Sequence, residues 1–324
     1  MRYTKLGRSG LDVSAVCLGC MGFGESSGDV HSWTVGEAES RTIIERALEL
    51  GVNFFDTANV YSLGSSEEIV GKVLGDAADR DDVVIATKVY FPMRGGDAQN
   101  SRGLSRKAIM TEVDHSLRRL GTDYIDLYQI HRFDDLTPVE ETMTALHELV
   151  EVGKVRYLGA SSMWAWQFAK LQHAADRLGL TRFVSMQNQY SLLQREEERE
   201  MLPLCADQGV GSIPWSPLAR GLLARPWETT TARREQDGLI DHRFSEAVDR
   251  PIVDRVESVA AAKGVPMAQL AMAWVMANPV VTAPIVGATR VGHVEDAVAA
   301  LDVELTAEDR AAVEEPYRPK PASF

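Results

Sequence analysis

Eight short runs rich in β-branched and aromatic residues alternate along this chain with segments patterned as amphipathic helices, and that alternation does most to limit what it can fold into. The runs are SAVCLG, VNFFDT, DVVIATK, YIDLYQIH, VRYLGAS, RFVSMQNQ, GSIPWS and TAPIVGA. Strands separated by helices form repeated βα units and a parallel sheet. Eight such units close into an α/β fold, a single (β/α)8 barrel. Residues 106–120 illustrate the helices, with Ile109, Val113 and Leu117 recurring at helical spacing. No Gly/Ser-rich or Pro-rich linker, low-complexity segment or close repeat divides residues 1–324, which read as one domain.

A barrel gathers its functional side chains at the carboxyl ends of its strands, whatever their separation in sequence. Asp56, Lys88, His131, Ser161, Gln187, Trp215 and Thr289 all fall at or just beyond those ends, and Tyr61 follows closely after Asp56. Four of these residue types suit acid–base chemistry. A tyrosine, with an ordinary pKa of about 10, acts as an acid near neutrality when a neighbouring cation pulls that value down. Lys88 supplies the cation, Asp56 keeps the lysine protonated in a partly dry site, and His131 positions a carbonyl oxygen.

Composition excludes other classes. The chain has 324 residues, 45% of them hydrophobic, which is ample for a core. Its formal charge of -13, from 34 basic and 47 acidic residues, gives no support to nucleic-acid or anionic-membrane partners. The opening MRYTKLGRSGLD lacks the apolar centre of a signal peptide, and 267–277, the longest apolar helical candidate, is too short for about 30 Å of hydrocarbon. A cytoplasmic location is expected. Three cysteines, Cys17, Cys20 and Cys205, are too few for a disulfide framework. Cys17 and Cys20 form a CxxC, but a zinc site needs a second ligand pair, so no metal is expected.

Two further stretches imitate motifs without completing them. His147, Glu148 and Glu151 lack the second histidine of a metalloprotease helix. TPVEETMTALHELVEVG reads instead as an ordinary helix with Thr137 as cap, Pro138 in the first turn and Glu140 closing a capping box. Gly19, Gly22 and Gly24 do not have the spacing of a dinucleotide fold, so any nicotinamide site must be built differently.

The segments DTANVYSLGSSEEIVGKVL, VVIATK, YIDLYQIHRFD, YLGASS, QNQYSLL and PWSPLARGLL together resemble the aldo-keto reductase superfamily. The likeness runs from KLGRSGLDVSAVCLGCMGFG to EEPYRPKPASF and is greatest to the aryl-alcohol dehydrogenase-like branch, with potassium-channel β-subunits as more distant relatives. The resemblance implies a hairpin from YTKLGRSGLDVS plugging the far end of the barrel. Residues 24–35, 91–104 and 218–250 exceed ordinary connections and are expected to overhang the mouth and choose the substrate. Trp33, Tyr90, Phe133, Trp164 and Trp227 are candidates to line an apolar pocket suited to aromatic aldehydes, and Phe324, after a further helix begun by Thr306 and Asp309, to reach back toward it.

The resemblance also implies NADPH as cofactor. Hydride chemistry needs the nicotinamide held by its carboxamide with one face covered. Ser161, Ser162 and Gln187 are the candidates for the amide, and Trp215 matches the aromatic position that stacks on the ring. Ser216, Leu218, Arg220 and Gly221 resemble the pyrophosphate loop, while Gly287, Thr289, Arg290, His293 and Asp296 resemble the adenosine end. Arg290 suits a ribose 2′-phosphate, since its planar fork matches phosphate geometry. Departures from the family occur at Ser162, where asparagine is frequent, at His293, where arginine or glutamine is, and at Ala297, where asparagine is.

The expected function is therefore NADPH-dependent reduction of an aldehyde or ketone to an alcohol, with Tyr61 as proton donor. A small-molecule carbonyl compound is the expected partner, and oligomeric state is not legible. Two alternatives belong to other classes. One is a Schiff-base lyase using Lys88, opposed by Asp56, which would hold the amine protonated. The other is a nucleotide-sensing regulatory subunit, opposed by a start at the barrel plug with no gating extension ahead of it.

Overall fold

The period-two runs become eight parallel strands around one axis. The computed structural model describes residues 1–24, 33–93, 100–230, 240 and 243–321. A hairpin of β1 (Tyr3–Lys5) and β2 (Asp12–Ser14) comes first. The barrel strands follow: β3 (Cys17–Gly19), β4 (Phe54–Asp56), β5 (Val84–Val89), β6 (Ile125–Ile130), β7 (Val155–Ser161), β8 (Phe183–Gln187), β9 (Gly211–Ser212) and β10 (Ile285–Gly287). They pair in the order β10-β3-β4-β5-β6-β7-β8-β9. The ring is completed by bonds from Ser212 N to Val280 O at 3.0 Å, Thr282 N to Ser212 O at 2.7 Å and Ile285 N to Pro214 O at 2.8 Å.

Alternation along each strand sorts side chains between two apolar layers. Phe55, Ile85 and Tyr128 face outward and pack with Ile43, Val70, Ile109 and Leu146 from the helices α1 (Glu37–Glu49), α2 (Ser65–Ala77), α3 (Arg106–Leu120) and α4 (Val139–Glu151). Phe54, Val84, Ala86, Leu127 and Ile213 face inward and fill the lower barrel, where Leu6 and Val13 of the hairpin close it from below. Both plug residues are 0% exposed, and each such burial stabilises by about 1.5–3 kcal/mol. Gly7 makes the plug possible. Its φ is +58°, and a Cβ there would lie 2.6 Å from Gly209 O and Gly211 N.

The helical expectations hold over 106–120, where the Ser105 hydroxyl accepts from Ala108 N at 3.3 Å, and at the later helix Ala307–Glu314, which Thr306 and Asp309 open with a capping box. They fail at α4. Pro138, not Thr137, is its N-cap. The Thr137 hydroxyl is taken by Asp134 Oδ2 at 2.8 Å, and Glu140 turns outward to Arg177 at 2.8 Å. Asp134 also accepts from Leu104 N and Leu136 N, so loop organisation claims the hydroxyl that a cap would use.

The CxxC is divided by the same alternation, with Cys17 joining the inner layer and Cys20 the outer one. Burial raises both thiols well above the ordinary range. Helices Glu246–Lys263 and Met267–Met276 pack Ile252, Val256, Leu270 and Trp274 over Tyr190, Leu193 and Leu223 in a second core. No single helix among the described residues is long and apolar enough to cross a membrane. The three long connections expected over the mouth lie partly, and Phe324 wholly, outside the described residues.

Candidate active site

Above the inner apolar layer the same inward face turns polar. Asp56 is two residues beyond Phe54, Lys88 two beyond Ala86, and Gln129 and His131 two and four beyond Leu127. Register brings Lys88 level with Gln129, Gln129 with Gly159, and Ser161 with Gln187. Gly159 leaves the needed space, since a Cβ there would lie 2.9 Å from Gln129 Cγ and 2.5 Å from Ser185 Oγ.

Lys88 is wholly buried, and its ammonium donates to Asp56 Oδ2 at 2.6 Å, Thr57 O at 2.8 Å and Tyr61 Oη at 3.2 Å. Those three acceptors account for its three protons. Asp56, 2% exposed, has its other oxygen occupied by Gln129 Nε2 at 2.9 Å and Gln187 Nε2 at 2.8 Å. The carboxylate is thereby paired on one side and solvated by amides on the other, as a buried charge requires. Burial pushes the Lys88 ammonium toward deprotonation, but Asp56 and then Tyr61 overturn that and hold it above the ordinary lysine value.

Tyr61 opens a one-turn helix, Tyr61–Gly64, in which Ser62 (φ 46°) and Leu63 (φ 52°) both adopt left-handed backbone. Such conformations cost on the order of 1–3 kcal/mol each and persist where neighbours enforce them. Here Ser62 Oγ donates to Phe23 O at 3.0 Å. The expected fall in the Tyr61 pKa is not the net outcome. Burial raises it and outweighs the opposing pull of Lys88, with Asp56 adding to the rise, so the phenol stays protonated at neutral pH.

His131 stands edge-on to Tyr61, ring centroids 5.8 Å apart. Burial, reinforced by Lys88 and Arg132, drops its pKa well below the ordinary histidine value, so the ring is neutral. Its Nδ1 is buried without a partner, which leaves Nε2 as the nitrogen open to the cleft.

A cleft of about 1270 Å³ runs from this site across β9 and β10. It is lined by Asp56, Tyr61, His131, Ser161, Gln187, Trp215, Ser216, Leu218, Arg220, Gly221, Gly287, Thr289, Arg290, His293 and Asp296. Two of the residues singled out from sequence stand behind the wall. Lys88 is covered by Tyr61, and Ser162 accepts the Trp215 indole N–H at 3.0 Å, fixing the ring rather than facing the cleft. Ser161 Oγ donates to Gln187 O at 2.9 Å. Positive φ at Ser216, Ala219, Arg220 and Gly221 turns this loop sharply, a geometry in which successive backbone N–H groups form anion-binding concavities. Arg290 precedes the helix Val291–Ala299, which has no side-chain cap, and donates to His293 Nε2 at 2.9 Å. Asp296 Oδ1 accepts from Gln269 at 3.0 Å.

Of the aromatic candidates only Trp33 lines the cleft. Tyr90 and Phe133 pack on the outer core, Trp227 is buried in the second core, and Trp164 is 49% exposed ahead of α5 (Ala165–Leu178). Parity explains Tyr90: its neighbour Phe91 takes the inward place, with its ring 4.9 Å from His131. Sequence reasoning missed Gln129, Arg132, Phe91 and Arg243. Gln129 shares the inward face of His131 two residues away, and a polar residue in an apolar strand was a readable signal. Arg243, whose Nη1 donates to Gln189 and whose guanidinium lies 5.3 Å from the Trp215 ring, sits in a long segment with no strand-end signal.

A barrel carrying a buried lysine–aspartate pair against a tyrosine, with a neutral histidine beside it, is an arrangement equipped for acid–base chemistry in the cleft. The chain belongs to the aldo/keto reductase family, whose model matches residues 15–318. Versiconal hemiacetal acetate reductase of Aspergillus parasiticus is 49% identical, over 99% of this chain and 98% of that protein. An aldo-keto reductase of Alternaria alternata is 45% identical, over 98% and 92%. A Saccharomyces cerevisiae protein named, provisionally, as an aryl-alcohol dehydrogenase is 41% identical, over 99% and 98%.

Proposed function

We propose that this protein reduces an aldehyde or ketone to the alcohol with NADPH, and that Tyr61 is its proton donor. The observation that carries the reading is the Lys88 ammonium set between Asp56 at 2.6 Å and the Tyr61 hydroxyl at 3.2 Å, just behind the cleft wall that Asp56 and Tyr61 form. When bound, NADPH supplies hydride to the carbonyl carbon. Tyr61, protonated at rest, gives its proton to the oxygen as charge develops there, and Lys88 stabilises the phenolate left behind. His131, neutral, orients that oxygen through Nε2 without competing as a base. Asp56 keeps Lys88 charged.

The residues available for the cofactor fit it in kind. Trp215, held by Ser162, offers an indole face, and Ser161 Oγ and the side-chain Oε1 of Gln187 suit the carboxamide, since Gln187 Nε2 is already committed to Asp56 and Gln129. The sharply turned loop Ser216–Gly221 suits the pyrophosphate. Arg290, with Gly287, Thr289, His293 and Asp296, suits the adenosine end, and its exposed guanidinium favours NADPH over NADH. A Schiff-base role for Lys88 is disfavoured, because a charged, triply bonded amine is not a nucleophile.

The test is NADPH consumption over a panel of aldehydes and ketones, with Tyr61→Phe alongside. Positioned proton donation is worth about 10² to 10⁴ in rate, so the variant should lose about that much turnover while keeping its fold and NADPH affinity. Wild-type turnover in the variant refutes the donor; a wild type that binds NADPH but reduces nothing favours the regulatory alternative.

A further inference from the structure

Among the described residues the lining of the cleft is cationic although the protein is acidic. Arg132, Arg220, Arg225, Arg243 and Arg290 line it with two described acids, Asp56 and Asp296, in a chain of formal charge -13. Asp56 is neutralised by Lys88, and Asp296 is engaged by Gln269. Four of these arginines follow β9 or β10, on the side suited to cofactor phosphates. Arg132 follows β6, four strands around the ring from β10, and no phosphate at the β9–β10 side accounts for it.

Its surroundings are those of a substrate group. Arg132 is half-buried, its Nη1 donates to the neighbouring His131 O at 2.6 Å, and its guanidinium lies 5.5 Å from the Phe91 ring. A guanidinium has five N–H donors, and the described residues engage one of them. Burial lowers its pKa from the ordinary arginine value, and no carboxylate among the described residues is paired with it. A partly desolvated cation without an anion is costly, so a ligand that supplies the anion is strongly rewarded. Phe91 touches both His131 and Arg132, so an aromatic wall connects the carbonyl position to the Arg132 guanidinium.

We infer that Arg132 anchors an oxyanion on the substrate, so that the compounds this enzyme takes best are aromatic aldehydes or ketones carrying a carboxylate or an ionised phenol. The inference rests on the reductase reading above, and it adds a specificity-determining residue to it. The planar fork of arginine matches a carboxylate with two parallel bonds.

The experiment compares kcat/KM for the three isomeric carboxybenzaldehydes with that for their methyl esters, which keep the shape and remove the charge. Wild type should favour at least one acid over its ester by about tenfold to a hundredfold, the range of a charge-assisted contact. Arg132→Met should bring that ratio close to one, whatever happens to the ester's own rate, and Arg132→Lys should retain part of it. In parallel, benzoate is titrated into the NADP⁺-loaded protein by calorimetry, where Arg132→Met should weaken binding by a similar factor. An unchanged ratio and unchanged benzoate binding in Arg132→Met overturn the inference, as does a wild type with no preference for any acid. If no carbonyl compound is reduced at all, the reductase reading fails, and the benzoate titration alone decides whether Arg132 is an anion site. NADPH-induced quenching of tryptophan emission serves as the check that each variant is folded.

Discussion

Replacing Lys88 with methionine separates what the buried charge does for stability from what it does for chemistry. Methionine roughly preserves length and volume but leaves Asp56, 2% exposed, with two amide donors and no cation. Breaking a buried ion pair from one side costs about 3–5 kcal/mol, because the surviving charge stays desolvated, whereas replacing both partners by neutral groups is often nearly neutral. Lys88→Met should therefore lose about 3–5 kcal/mol, and Asp56→Asn/Lys88→Met should recover most of it. Turnover should not recover, since neither variant has a cation 3.2 Å from the Tyr61 hydroxyl. Urea unfolding followed by circular dichroism, run beside NADPH consumption on the best substrate of the panel, measures both. Equal stability of Lys88→Met and wild type would refute the buried pair; a double variant as active as wild type would refute the role of Lys88 in proton donation.

Three other outcomes are expected. Arg290→Ala should weaken NADPH binding about ten- to a hundredfold and scarcely touch NADH, which lacks the 2′-phosphate; equal losses in titrations of the two cofactors would make Arg290 structural. Trp215→Ala should remove most of the emission quench on NADPH binding, and a full quench in the variant rules out ring stacking. His131 titrates well below its ordinary 6.5 in the folded protein, so below about pH 6.5 the unfolded chain binds a proton that the folded one refuses. Its stabilising contribution is complete above that pH and declines on acidification by up to about 1.4 kcal/mol per pH unit. The stability difference between wild type and His131→Gln, measured by urea unfolding from about pH 8 to pH 5, should shrink accordingly; parallel curves contradict the neutral buried ring.

The strand–helix alternation was sufficient for the barrel, and strand ends were sufficient for Asp56, Lys88 and His131, because a strand's period of two is written locally and determines which side chains share a face. Tyr61 was legible for a similar reason, lying one loop beyond Asp56. Which partner each inward side chain meets was not legible. Gln187 reaches Asp56 across 131 positions, and Gln129 joins them only because ring closure and register bring β4, β6 and β8 to one level, with Gly159 leaving the space. The same closure turned Ser162 behind Trp215 and moved Tyr90, Phe133 and Trp227 into packing roles, since a residue's face near a strand end depends on how the following loop leaves the barrel. The protonation of Tyr61 shows the division most clearly. A nearby lysine can be read from sequence, but burial raises the phenol more than that lysine lowers it, and burial is a sum over every element that excludes water from the site.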